Sequence, residues 1–156
     1  MNHFDHVTLV VRDVEAAKRF FGLLGFEHER SVVISGDVFA RYMGVPGISA
    51  DHVTLVLAGA VPRCEVQLLR YQSPGPVANP LIEDLSAVGF NHICFAVENL
   101  ESELTRLRAA GVETRNDMLD FHGRKLVFLR GPEGITVELS ERYDASGSAS
   151  KARPAS

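Results

Sequence analysis

Part of this chain is written twice. The segments "HVTLVVRDVEAAKRFFGLLGF" (6–26) and "HICFAVENLESELTRLRAAGV" (92–112) align at an offset of 86 residues, which places His6 on His92, Val7 on Ile93, Val11 on Val97, Asp13 on Asn99 and Gly25 on Gly111. A second match closes each copy. "EVQLL" (65–69) lies on "TVELS" (136–140) at an offset of 71, pairing Val66 with Val137, Gln67 with Glu138 and Leu68 with Leu139. A duplication of this kind requires each copy to build the same supersecondary unit, which removes most folds from consideration.

Each copy reads as strand, helix, then strands. Phe4 to Val11 alternates in polarity, and Asp13 is placed to cap a helix over 14–24, because its carboxylate can accept from open backbone N–H groups. Val14, Ala17, Phe20, Phe21 and Leu24 form that helix's apolar stripe, and Gly25 ends it as a residue that enters the left-handed conformation cheaply. In the second copy Asn99 caps, Leu100, Leu104, Leu107 and Ala110 form the stripe, and Gly111 stops it. Three strands are expected to follow in each copy, over 26–35, 52–58 and 64–71, then over 112–116, 124–130 and 134–140. The second copy is 15 residues shorter between helix and last strand. The extra length of the first is expected as a long loop between Ser35 and His52, of the kind that often carries function. These readings predict a first module over 1–71, a proline-bearing linker over 72–88, a second module over 89–143 and a disordered tail over 144–156.

Side chains of a strand alternate between faces. Val7, Leu9 and Val11 therefore oppose His6, Thr8 and Val10, and Ile93, Phe95 and Val97 oppose His92, Cys94 and Ala96. In the closing strands Val66 and Leu68 oppose Glu65, Gln67 and Leu69, while Ile135, Val137 and Leu139 oppose Thr136, Glu138 and Ser140. The bulkier face suits packing on helices. The other face carries His6, Gln67, His92 and Glu138 at repeat-equivalent places. Two imidazoles, a carboxylate and an amide oxygen suit a divalent ion such as Co, Ni, Mn, Zn or Fe. Glu65 shares a face with Gln67 and is the alternative ligand there; the repeat alignment favours Gln67.

Other partners are argued against by composition. A net charge of −4 with no basic run predicts no nucleic-acid binding and no attraction to an anionic membrane surface. No apolar run approaches the roughly 18 residues of a membrane span. The first residues, Met1-Asn2-His3-Phe4-Asp5, lack the pattern of a signal peptide, so a cytoplasmic protein is expected. Cys64 and Cys94 lie in apolar strand patterns and are expected as small buried hydrophobes rather than a disulfide. His3, His28 and His122 are expected at the surface.

With these residues in view, the chain resembles the vicinal oxygen chelate superfamily, which includes glyoxalase I, methylmalonyl-CoA epimerase, extradiol dioxygenases and the bleomycin- and fosfomycin-resistance proteins. The resemblance spans about residues 4–141 and is carried by "HVTLVVRDVEAAKRFFGLLGF", "EVQLLRY", "GFNHICFAVENLESELTRLRAAGV" and "GRKLVFLRGPEGITVELSE". It implies an α+β fold of two tandem βαβββ modules whose sheets curl around a metal, with ligands at His6, Gln67, His92 and Glu138. That quartet is most similar to methylmalonyl-CoA epimerase and, more loosely, to glyoxalase I. The implied function is a metal-dependent isomerase, epimerase or lyase that works through an enolate on a small oxygenated substrate, with Glu138 as base and a homodimer as the assembly. The alternatives are a non-catalytic, resistance-type protein that binds a drug or metabolite, and a metal-dependent dioxygenase. There is one departure from the epimerase pattern. Those enzymes carry a second catalytic glutamate just before the first module's third strand, where this chain reads Ile48-Ser49-Ala50-Asp51-His52, leaving Asp51 and His52 as candidates for the second acid/base.

Overall fold

The structure, a computed structural model, describes residues 1–143; the expected disordered tail over 144–156 lies outside the described residues. The chain divides into two compact units, Met1–Asn79 and Pro80 onward. In the first, β1 (His6–Val10), α1 (Val14–Leu23), β2 (Phe26–Ser35), α2 (Asp37–Met43), β3 (Ser49–Leu57) and β4 (Glu65–Ser73) form a mixed sheet in the order β1-β4-β3-β2. In the second, β5 (Ile93–Val97), α3 (Leu100–Ala109), β6 (Leu119–Phe121), β7 (Arg124–Arg130) and β8 (Thr136–Arg142) form a sheet in the matching order β5-β8-β7-β6. Each unit is thus a βαβββ module, the first carrying an added short helix. No helix among the described residues is long and apolar enough to cross a membrane.

The helix signals act as the residues dictate. The Asp13 carboxylate accepts from Ala16 N at 2.8 Å, and the Asn99 side chain accepts from Ser102 N at 2.8 Å. Gly25 and Gly111 follow α1 and α3 with φ of +89° and +86°, a conformation other residues reach only with strain. Asp13→Ala and Asn99→Ala are each expected to cost about 1 kcal/mol of stability. Urea denaturation checks this, and Asn99→Asp should retain most of the lost stability.

In the first unit α1 packs on β2 and β4. Leu9, Val11, Ala17, Phe21, Phe26, Val53, Leu55, Val66 and Leu68 are buried, and the Phe21 and Phe26 rings meet edge-on at 5.8 Å. In the second unit Leu100, Leu104 and Leu107 of α3 are buried, as are Val127, Leu129, Val137 and Leu139 of the sheet. Apolar burial of this kind is the main favourable term for each module.

Three expectations are corrected. The stretch 112–116 is not a strand. Thr114 makes one isolated bridge to Leu129, and the edge strand is instead β6, whose three exposed residues lack the alternation a sequence reading relies on. The long loop between Ser35 and His52 contains α2, and β3 begins at Ser49. Ala40 and Met43 of α2, with Val45 and Tyr71, pack on a second buried cluster of Ile34, Ile48, Ala50 and Leu69. The cysteines are free, as expected, but not buried: Cys64 is half-buried and Cys94 exposed. Cys94 lies on the less apolar face of β5, where Cys94 and Ala96 are exposed and the flanking Ile93, Phe95 and Val97 are partly covered.

Candidate metal centre

The parallel pairings repeat across the two units. In the first, Val7 faces Val66 and Thr8 faces Gln67; in the second, Ile93 faces Val137 and Cys94 faces Glu138. Gln67 and Glu138 therefore occupy the same register position against their first strands. Glu65 instead pairs with His6, two residues earlier in the ladder.

In the first unit, strand alternation puts His6, Thr8, Glu65, Gln67 and His52 on one face of the sheet. His6 Nδ1 meets Asp5 Oδ2 at 2.6 Å, and the ring is 41% exposed. The Gln67 amide donates to Glu65 Oε2 at 2.9 Å. That contact holds the Glu65 carboxyl below the usual range, with partial burial opposing and the Arg63 guanidinium, at 2.7 Å, adding to it. An ionised carboxylate only accepts, so the Gln67 nitrogen must face it and Oε1 must point the other way. There Oε1 meets His52 Nε2 at 3.0 Å and the Thr8 hydroxyl at 3.4 Å. His52 Nε2 thus carries the proton and donates.

In the second unit, His92 directly precedes β5. Its Nδ1 meets Asn91 Oδ1 at 2.7 Å, its Nε2 lies 3.4 Å from Glu138 Oε2, and its ring rests on Phe128 at 5.1 Å between centroids. Glu138 is 14% exposed. Cys94, its partner in the ladder, has a thiol pushed up to about 12 by desolvation, then by a hydrogen bond to Glu138 and by that group's charge. Two residues along the same face of β8, the buried Ser140 hydroxyl has no hydrogen-bond partner among the described residues.

The structure brings His6, Gln67, Glu65 and His52 to one face in the first unit, and His92 and Glu138 together in the second. It does not bring in Asp51. Strand alternation turns this residue to the face opposite His52, where Arg70 holds its carboxylate at 2.6 Å and Gln72 donates to it at 2.8 Å. Asp51 instead lines a cleft of about 650 Å³ with Arg12, Ser31, Val33 and Arg70. Sequence reasoning passed over Asp5, Asn91 and Ser140. The signal for the first two was present, since Asp5 and Asn91 also align at the 86-residue offset. Among the described residues no three His, Cys, Asp or Glu side chains gather as one metal-binding group.

Residues 3–139 match the model of the Glyoxalase/Bleomycin resistance protein/Dioxygenase superfamily. The chain is 26% identical over 147 residues to an ethylmalonyl-CoA/methylmalonyl-CoA epimerase of Cereibacter sphaeroides, covering 90% of this chain and 98% of that protein. Its fold is similar to that of a glyoxalase family protein from Bacillus cereus, with a TM-score of 0.82 at 23% identity, covering 92% of this chain and 96% of the other. It is also similar to a fosfomycin resistance protein from Listeria monocytogenes solved with Mn(II) and sulfate, with a TM-score of 0.58 at 15% identity, covering 94% and 97%. Two βαβββ units with matched ladders, and a family match that runs through both, lead to one assignment: the chain belongs to the glyoxalase/bleomycin resistance protein/dioxygenase superfamily.

Proposed function

We propose that this protein is a divalent-metal-dependent isomerase, epimerase or lyase that moves a proton beside a carbonyl of a small oxygenated substrate, with an acyl thioester as the favoured class. His6, Gln67, His92 and Glu138 are the proposed ligands. The donor set fits a borderline ion: two imidazole nitrogens, a carboxylate oxygen and an amide oxygen. One observation carries the reading. His92 Nδ1 is engaged by Asn91, and its Nε2 lies 3.4 Å from a Glu138 carboxylate oxygen. A ring nitrogen and a carboxylate oxygen side by side are two of the donor types that a divalent ion would take.

When bound, such an ion supplies Lewis acidity toward two neighbouring substrate oxygens. The chain's own residues do the rest. Glu138 serves as the base that takes the proton next to the carbonyl, and only limited solvent reaches it. Glu65 and His52 together hold the Gln67 amide with its oxygen turned away from Glu65. His52, on the same face as Gln67, is the proposed second acid/base; Asp51 has no part in it. The epimerase relative covering nearly the whole chain supports the thioester class.

Proton exchange tests the reading directly. In D2O, methylmalonyl-CoA should lose its α-proton signal in NMR when protein and a divalent ion are both present, and EDTA should stop the exchange. If the protein instead holds its metal but exchanges no α-proton of acyl thioesters or of 2-oxo hemithioacetals, the enzymatic reading fails and a ligand-binding role of the resistance type takes its place.

A further inference from the structure

We infer that Asp5 and Asn91 are positioning residues that fix the tautomer of the histidine following each, so that both rings keep Nε2 unprotonated. The inference rests on the metal-site reading above and adds to it the residues that prepare the nitrogens. Its basis is the acceptor chemistry at Nδ1. Asp5 is a carboxylate, and its Oδ2 lies 2.6 Å from His6 Nδ1; an ionised carboxylate has no proton to give, so Nδ1 must carry one. Asn91 reaches the same result by a different route. Its Nδ2 donates to the Leu85 carbonyl, which can only accept. The amide orientation is therefore settled by its neighbours rather than by choice. Oδ1 is left facing His92 Nδ1 at 2.7 Å, and the ring nitrogen must be the donor.

The two contacts occupy equivalent positions of the repeat, each between a ring and the residue just before it. Both partners are also anchored. The Asp5 carbonyl accepts from Glu65 N at 3.1 Å, extending the β1–β4 ladder by one residue, and the Asn91 amide is held by Leu85. A neutral imidazole in water favours the proton on Nε2, so an Nδ1 acceptor reverses the solution preference and frees the atom that faces Glu138 in the second unit. Hydrogen bonds of this kind to the far ring nitrogen orient histidine ligands and raise their basicity.

The test reads the rings without metal and then with it. Long-range 1H–15N correlation on the metal-free full chain, with the rings neutral, should show a protonated Nδ1 and a bare Nε2 at both His6 and His92. Asp5→Ala should shift only His6 toward the Nε2–H form, and Asn91→Ala only His92. Asp5→Asn, which keeps an acceptor oxygen, should preserve the wild-type pattern. Titration with Zn²⁺ alone should show affinity lowered about 10–100-fold in each alanine variant and largely retained in Asp5→Asn. The backbone amide spectrum confirms that each variant is folded. Nε2–H rings in the wild type, rings unchanged in the alanine variants, or a switch of tautomer with unchanged Zn²⁺ affinity would each overturn the inference. If the rings respond as expected but the wild type binds no Zn²⁺, the tautomer assignment stands and the metal reading falls.

Discussion

Glu138→Gln is expected to lower turnover by about 10²–10⁴-fold, the range a positioned general base contributes. The substitution keeps side-chain shape and an oxygen donor but removes the group able to take a proton. The fold should survive it. Glu138 lies on the face away from the buried Val137 and Leu139, and its close partners are His92 and the Cys94 thiol rather than core groups. Circular dichroism and metal content, measured beside the exchange rate, separate loss of the base from loss of the site. Full activity with metal bound would show that Glu138 is not the base, leaving His52 as the residue to test.

The second large effect falls on the ion itself. His6→Ala and His92→Ala should each weaken divalent-metal binding by more than the roughly 10–100-fold cost of losing an outer partner, as read by competition with a chromophoric chelator. Stability should respond unequally. His6 is 41% exposed and contacts mainly Asp5, so its loss should change stability by about 0.5 kcal/mol or less. His92 also rests on Phe128 and its removal should cost somewhat more. Wild-type affinity in both variants would remove the site proposed here.

Much of this was legible in the chain, because duplication makes weak signals check one another. One strand histidine says little; His6 and His92 at matched places, with Asp13 and Asn99 capping and Gly25 and Gly111 stopping the helices, imply two modules of one design. The two alignment offsets even reproduce the ladders, since Thr8 faces Gln67 where Cys94 faces Glu138. The separation of Asp51 from His52 was legible too: neighbours in a strand point to opposite faces, so only one of the two could join Gln67.

What escaped the sequence did so for physical reasons. The α2 helix spans seven residues and has no counterpart in the second copy. It presents mostly exposed side chains, including Val38 and Tyr42, while Ala40 and Met43 make its packing contact. Too short to show a helical period, it is stabilised by the cluster beneath it, as short helices generally are. The β6 strand has no buried residue to mark its face. Asp5 and Asn91 act through a hydrogen bond to the next side chain, which leaves no periodicity and shows in the sequence only as their match at the 86-residue offset. Alternation separated the faces of β5 correctly but did not reveal that the Cys94 side would stay open.

The central claim, one divalent ion held by paired residues of the repeat, is tested most directly by crystallising the protein with Co²⁺ or Zn²⁺ and locating the ion by anomalous scattering. The account predicts one strong peak per chain, about 2.0–2.2 Å from the Nε2 atoms of His6 and His92 and from oxygens of Glu138 and Gln67. A peak coordinated by Glu65 in place of Gln67, a peak away from both histidines, or no stoichiometric ion at all would contradict it.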